Sequence, residues 1–296
     1  MLNTAVKVRI AQALASTLLR LGVRAQRQIR RDGIVYEVDL REGIDLSLFL
    51  FGAFQRHVLK TVQRLVPKDG IVVDVGANVG AVALPIAAHL ERGHVYAFEP
   101  TDFAYAKLAR NLELNPRLQP RVTLVKSFVA EQAAPVSELT AYSSWPVVDT
   151  PDAQLHPVHK GAAKMASCGQ TTIDNFVREQ KLDRLSLIKI DTDGHEFAVL
   201  SGALDSLRRF QPVVIFEACE YLMRPPRRVF HDFEELFRSA GYVICANARL
   251  QPLSDREFYA SCPRGGGLDL IAVPGTPASS PAGRAPSRRH GGGDAA

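Results

Sequence analysis

Cysteine is scarce, with four in 296 residues: Cys168, Cys219, Cys245 and Cys262. None stands in a CxxC or CxxH spacing, so neither a zinc site nor a disulfide framework is indicated. A reduced, cytoplasmic setting is the default expectation. No apolar run approaches the ~18 residues needed to span a membrane. No internal repeat is present. Acid is missing from residues 1–31, which carry Lys7, Arg9, Arg20, Arg24, Arg27, Arg30 and Arg31. Apolar and charged residues are not lacking, at 46% and 23%, the proportions of an ordinary soluble chain. A chain of this length buries a large core without metal or disulfide staples. A mini-protein, a collagen-like fibre and global disorder are thereby excluded.

The formal net charge of +5 is unevenly placed. Residues 274–296 add Arg284, Arg288 and Arg289 against one acid, Asp294. What remains in 32–273 is 26 basic and 30 acidic residues, a net −4. The body of the chain therefore lacks the basic groove that a nucleic-acid partner requires.

The first segment has three readings. As a targeting peptide it is Arg-rich, but Ala11–Leu19 is broken by Gln12, Ser16 and Thr17. As a helix, Val6, Ile10, Leu14, Leu18 and Leu21 recur at spacings of four and three and form one apolar stripe. That stripe either packs on the chain's own domain, the preferred expectation, or lies on an anionic membrane surface through residues 1–24.

Gly22 is expected to end this helix. Alternation around Asp32-Gly33 predicts a β-hairpin. A helix is expected over about 54–66. Strands then alternate with helices: strands at 71–75, 94–99, 122–126, 185–190, 213–217, 242–246 and 268–273, with helices at 81–90, 103–114, 172–179, 198–210 and 230–240. This alternation predicts an α/β fold with a doubly wound, Rossmann-like, seven-stranded sheet. It divides the chain into an N-terminal helix and hairpin extension (1–66), a main domain (67–273) and a tail (274–296). The tail is expected to be disordered because it holds no large apolar residue. A Pro-rich stretch, 131–169, interrupts the pattern and reads as a functional insertion with short strands of its own. Its Tyr142 and Trp145 are candidates for stacking on a sugar, or for local packing.

Three motifs sit at strand ends. In Val73-Asp74-Val75-Gly76-Ala77-Asn78-Val79-Gly80, Gly76 permits a tight turn, and the next helix offers N–H groups to an anion. The form is D-x-G-x-x-x-G rather than the G-x-G-x-x-G of a dinucleotide fingerprint. In Ala97-Phe98-Glu99-Pro100, Glu99 lies 19 residues past Gly80, where an acid accepts hydrogen bonds from a ribose diol. In Ile188–Glu196 (IKIDTDGHE), Asp193 and Glu196 resemble a capping box and read as mainly structural, while Lys189 is placed to orient a carboxylate.

Together with Asn111, Asn115, Thr172-Ile173-Asp174 and Ile215-Phe216-Glu217, these motifs resemble the FkbM-type family of class I S-adenosylmethionine-dependent methyltransferases, over roughly residues 30–273. The resemblance implies a class I methyltransferase fold with the seventh strand antiparallel. It implies S-adenosylmethionine as donor and O-methylation of a hydroxyl on a sugar or natural product. Asp74, Gly76, Asn78, Gly80 and Glu99 would hold the donor, and Asp191 would face Asp74 across it. No acid or asparagine follows the third strand, so backbone contacts at Ser127 or Phe128 would serve the adenine. At Gln55 the chain carries an amide where the family tends to carry an acid.

An alcohol acceptor must lose its proton as the bond forms. Candidate bases are Asp191 first, then His195, whose intrinsic pKa is near neutral, then Glu217. Asp191 and Glu217 alone do not make a case for a divalent metal. The alternatives are a nicotinamide-dependent oxidoreductase on a similar sheet and a non-catalytic nucleoside-binding module. The expected partner is a small-molecule or glycan acceptor.

Overall fold

The computed structural model describes residues 4–144, 146–147, 162–219, 229–246, 249–262 and 266–275. Trp145 and residues 276–296 of the expected tail lie outside them. The chain starts with α1 (Thr4–Arg20), and Gly22 follows in the left-handed region at φ 80°. A hairpin, β1 (Gln26–Arg31) and β2 (Ile34–Asp39), turns on Asp32 and Gly33, both at positive φ. That is the geometry a two-residue hairpin loop demands. Helices α2 (Gly43–Phe51) and α3 (Arg56–Leu65) complete the extension.

The main sheet is built from β3 (Ile71–Val75), β4 (His94–Phe98), β5 (Val122–Val125), β9 (Leu187–Ile190), β10 (Val213–Cys219), β11 (Tyr242–Cys245) and β12 (Gly267–Pro274). Their order is β11-β12-β10-β9-β3-β4-β5. β12 runs antiparallel to both of its neighbours, whereas β10, β9, β3, β4 and β5 pair in parallel. The expected seven-stranded, doubly wound sheet with an antiparallel seventh strand is therefore present. Strand order reverses between β3 and β9, which opens the crevice where such sheets bind ligands.

Two cores flank the sheet. One gathers Val72, Leu187, Ile215 and Ile271 with α4 (Ala83–His89), α5 (Asp102–Glu113) and the N-terminal extension. The other gathers Val73, Val75, Ile188, Ile190 and Phe216 with α6 (Ile173–Glu179), α7 (Glu196–Ser201), α8 (Leu204–Phe210) and α9 (Phe230–Ser239). Alternation along buried parallel strands sends successive side chains to opposite cores.

The hairpin is stitched on by two asparagines, Asn111 in the last turn of α5 and Asn115 just past its end. Asn111 Oδ1 accepts from Glu37 N, and Asn115 Oδ1 accepts from Val35 N. Asn115 Nδ2 also donates to Val35 O, and Asn111 Nδ2 donates to Val79 O. The open edge of β2 thus finds partners for backbone groups that would otherwise be buried unpaired. Thr172 caps α6, and Asp174 accepts from Asp205 N and Ser206 N at the start of α8, so that motif ties two helices together.

Four local expectations change. The helix expected over 198–210 is two helices. They break at Gly202, where a Cβ would come within 2.4 Å of Ala130 O. α2 went unforeseen because its run follows no helix period: Ile44–Leu48 alternates apolar and polar residues as a strand would, and Phe49–Phe51 is wholly apolar. α10 (Asp255–Ser261) was also unforeseen, although Ser254 and Glu257 form a capping box. In the insertion, the strands are long rather than short: β7 (Ala134–Ser144) and β8 (Ala162–Thr171) pair antiparallel, and β6 (Phe128–Val129) adds alongside β8.

Candidate active site

The glycine turn after β3 is shaped by close packing against β9. Gly76 sits at φ 80°, and a Cβ there would lie 1.9 Å from Asp191 O. No other residue fits. Gly80 is held mainly by its φ of 84°, since the atom a Cβ would meet at 2.7 Å is the movable end of the Leu108 side chain. The backbone N–H groups of the turn are already committed. Gly76 N and Ala77 N donate to Phe98 O, Asn78 N to Glu99 Oε2, Val79 N to Asn78 Oδ1 and Gly80 N to Ala77 O. No N–H between 76 and 80 is left to point at a phosphate, so an anion would be met by the start of the next helix rather than by the turn itself.

Glu99 is buried at the end of β4. Its Oε1 accepts from Thr101 N at 3.0 Å and Thr101 Oγ1 at 2.5 Å, and its Oε2 holds Asn78 N. A carboxylate offers about four acceptor positions. Three are used within the chain, so Glu99 has room for one further hydroxyl rather than both hydroxyls of a diol. It braces the glycine turn first. Burial pushes its carboxyl above the usual range, and the donors from Thr101 and Asn78 oppose that shift.

Beneath the turn lies an ion pair. Asp74 is 0% exposed and Lys189 3%. Lys189 Nζ is 3.0 Å from Asp74 Oδ1 and 3.6 Å from Asp191 Oδ2, and it donates to Gly76 O at 3.2 Å. The Asp74 contact is one of charge, and neither carboxylate oxygen has an aligned hydrogen-bond donor. Burial disfavours the ammonium, yet Asp74 and Asp191 outweigh it and hold the Lys189 pKa above its ordinary value. Lys189 therefore orients two carboxylates and the turn carbonyl. Asp74 lies under the crevice floor, bridged to Asp191 through Lys189 rather than facing it across open space.

Asp191 has a partner from the extension: Gln55 Nε2 donates to its Oδ2 at 2.9 Å. Gln55 sits at φ 45° just before α3, and its Oε1 is buried without a partner. One strand over, Glu217 pairs in register with Asp269 of β12. Burial, then the charges of Asp191 and Asp269, push the Glu217 carboxyl well above the usual range. Asp269 Oδ2 meets His57 Nε2 of α3 at 2.6 Å. That bond raises the His57 pKa above 6.5, with burial opposing and Asp191 adding to the rise. Asp191, Glu217 and Asp269 thus form a carboxylate row along the strand ends, roofed by Gln55 and His57.

The remaining candidates lie elsewhere. His195 is exposed; its ring packs edge-on against Phe128 at 5.2 Å and its Nδ1 meets Thr192 O. This ties it to the β6 side of the crevice. Glu196 is buried and accepts from Thr192 N, Thr192 Oγ1 and Gly194 N; it braces the loop, but the expected capping box with Asp193 does not form, since His195 is the N-cap of α7. Asp193 takes a positive φ of 52° in that same loop. Ser127 Oγ donates to Gly169 O, which joins the third-strand exit to the insertion sheet. Among the described residues no group of three His, Cys, Asp or Glu is placed to hold a metal.

Gln55, His57 and Asp269 were not singled out as candidate site residues from sequence. Gln55 and Asp191 are 136 residues apart, and His57 and Asp269 are 212 apart. The one local signal was Gln55 itself, at a position where the resembled family tends to carry an acid.

The chain is similar to known methyltransferases. The chain is 26% identical over 206 residues to methyltransferase sdnD of Sordaria araneosa, covering 60% of this chain and 75% of that one. It is 22% identical to the hexuronic acid methyltransferase AglP of Haloferax volcanii, covering 54% and 61%. Among solved structures, methyltransferase FkbM of Methylobacillus flagellatus KT aligns with a TM-score of 0.42 at 15% identity, over 70% of this chain and 44% of that one. The methyltransferase FkbM domain model matches residues 74–244, from the aspartate under the glycine turn to the sixth strand of the sheet. That span is more than half of the chain, and the protein belongs to the FkbM methyltransferase family.

Proposed function

We propose that the protein transfers a methyl group from S-adenosylmethionine to a hydroxyl of a neutral sugar or natural-product acceptor. The observation that carries the donor assignment is the commitment of all five N–H groups from Gly76 to Gly80 within the chain. A pyrophosphate cradled by the glycine turn needs free donors there, so the turn disfavours the nicotinamide dinucleotide reading. A cation is instead suited by the carboxylate of Asp191, which alone of Asp74, Glu99 and Asp191 is not fully buried. Glu99 would take one ribose hydroxyl, the Gly76–Gly80 turn would let the nucleoside approach, and Ser127 and Phe128 would border the base. When bound, the sulfonium supplies an already activated methyl group.

The chain's own contribution is alignment and proton removal. Asp191 is the proposed proton acceptor, held in place by Gln55 and Lys189. Glu217, at the same level on the next strand, is the second acceptor; His195, tied to the β6 side, is not. The partnerless Oε1 of Gln55 supports a hydroxyl-bearing acceptor, since it accepts but cannot donate. The carboxylate row disfavours an anionic acceptor such as a uronic acid.

Calorimetry with S-adenosylmethionine and its demethylated product tests the donor assignment: binding of both is expected, and binding of neither would defeat it. Asp191→Asn is expected to abolish turnover on hydroxylated acceptors while donor affinity stays within about twofold. Turnover that survives would remove Asp191 as the base.

A further inference from the structure

The sequence places Ile10, Leu14, Leu18 and Leu21 on one stripe of α1, but the structure divides it. Ala15 is fully buried, and Ala11 and Leu18 pack beside it on the core. These three lie four and seven residues apart, on one line of the helix. Ile10, Leu14 and Leu21 occupy a neighbouring line and remain outside, 47%, 39% and 75% exposed. Leu21 N still bonds to Thr17 O, so the helical path continues to it. α2 packs against α1 and ends on Phe51, another exposed apolar side chain.

The same extension carries exposed cations. Arg9, Arg20, Arg24 and Arg30 are exposed, and none meets a carboxylate among the described residues. A shallow depression beside Leu21 is lined by Arg24, Gln26, Arg27 and Gln28. Guanidinium forks suit phosphate oxygens, and the amides add neutral donors.

We propose that this face of the N-terminal extension docks on an anionic phospholipid surface. Ile10, Leu14 and Leu21 enter the boundary between headgroups and acyl chains, and Arg20 and Arg24 meet lipid phosphates. An apolar line on an extension that carries unpaired cations, with no acid anywhere in residues 1–31, fits such a surface better than a protein face. The proposal does not depend on methyl transfer.

Flotation of the full chain with vesicles tests it. Vesicles of equal parts phosphatidylglycerol and phosphatidylcholine are expected to capture the protein, pure phosphatidylcholine vesicles are not, and capture should fall as salt rises. The double variant Leu14→Ser, Leu21→Ser is expected to lose about tenfold or more in partitioning. Arg20→Gln with Arg24→Gln is expected to lose a comparable factor and to flatten the salt dependence. All four side chains are exposed, so thermal melting should match the unaltered chain; if the leucine double variant melts lower, Leu21→Ser alone carries the test. Absence of capture by phosphatidylglycerol vesicles, or unchanged capture of the variants, would overturn the proposal. So would vesicle-free self-association that Leu21→Ser abolishes, since the face would then belong to a second copy.

Discussion

The two faces of the main sheet share their strands and differ in kind. On β9, Ile188 and Ile190 join Val73, Val75 and Phe216 in an apolar core. One residue out of phase, Lys189 and Asp191 turn to the other face, level with Asp74, Gly76 and Glu217. Aromatic packing fills the first face: Phe216 stacks on Phe233 at 5.7 Å and tilts against Phe237 at 5.2 Å. The second face is apolar only away from the strand ends. At the ends it holds an ion pair, a carboxylate row and the roof contributed by the extension. Pairing in register is what sorts them, because a slip of one residue would exchange the faces.

The contrast is sharpest at Lys189. Lys189→Met leaves Asp74 buried without its counter-charge, and a loss of about 3–5 kcal/mol is expected in denaturant unfolding. Phe216→Ala on the opposite face should cost a similar amount, about 3–5 kcal/mol, through its cavity. Only the Lys189 variant should also weaken donor binding per folded molecule, and equal effects on binding would erase the distinction. Gly76→Ala forces Asp191 and the turn apart. A shift of that size should lower turnover about a hundredfold with little change in folded content by circular dichroism.

A smaller effect is expected where the extension is stitched on. Asn115→Ala strands Val35 N and Val35 O, at a cost of about 1–3 kcal/mol, visible as faster hydrogen exchange in β2. The smallest concerns His57 and Asp269. The folded-state pKa of His57 is raised, so the pair's contribution is complete below 6.5 and is lost as pH rises through the folded value. The gap in Tm between the native chain and Asp269→Asn should therefore be wider at about pH 5.5 than at about pH 9. A gap that widens with pH would mean that the imidazole is not charged in the pair.

Much of the fold was legible because its signals are local. Short β-branched runs, glycine turns and helical periods reveal strands and helices to within a few residues. α2 escaped because Asp45 and Ser47 give its first half the period of a strand and its second half is apolar throughout. The roles of Asn111 and Asn115 escaped for a different reason: one ends α5 and the other follows it, and only the docked hairpin gives the two amides a shared purpose. Glu99 was found at the right place with part of its work missed, since the donors it holds, Asn78 N and Thr101, come from the turn it supports. Asp269 carried no motif at all. It reaches the site because β12 inserts antiparallel beside β10 and sets it opposite Glu217.

The scarcity of cysteine excluded metal and disulfide staples, and the strand-end motifs with the alternation of short strands and helices determined the class of this protein and the succession of its elements along the chain. These are properties of short segments, where spacing and side-chain chemistry suffice. The tertiary structure decided which carboxylates are floor, wall or brace, which extension residues roof them, and which line of α1 stays uncovered. Each of those depends on register and burial between segments far apart in the chain, and no local pattern encodes how far a neighbour will approach.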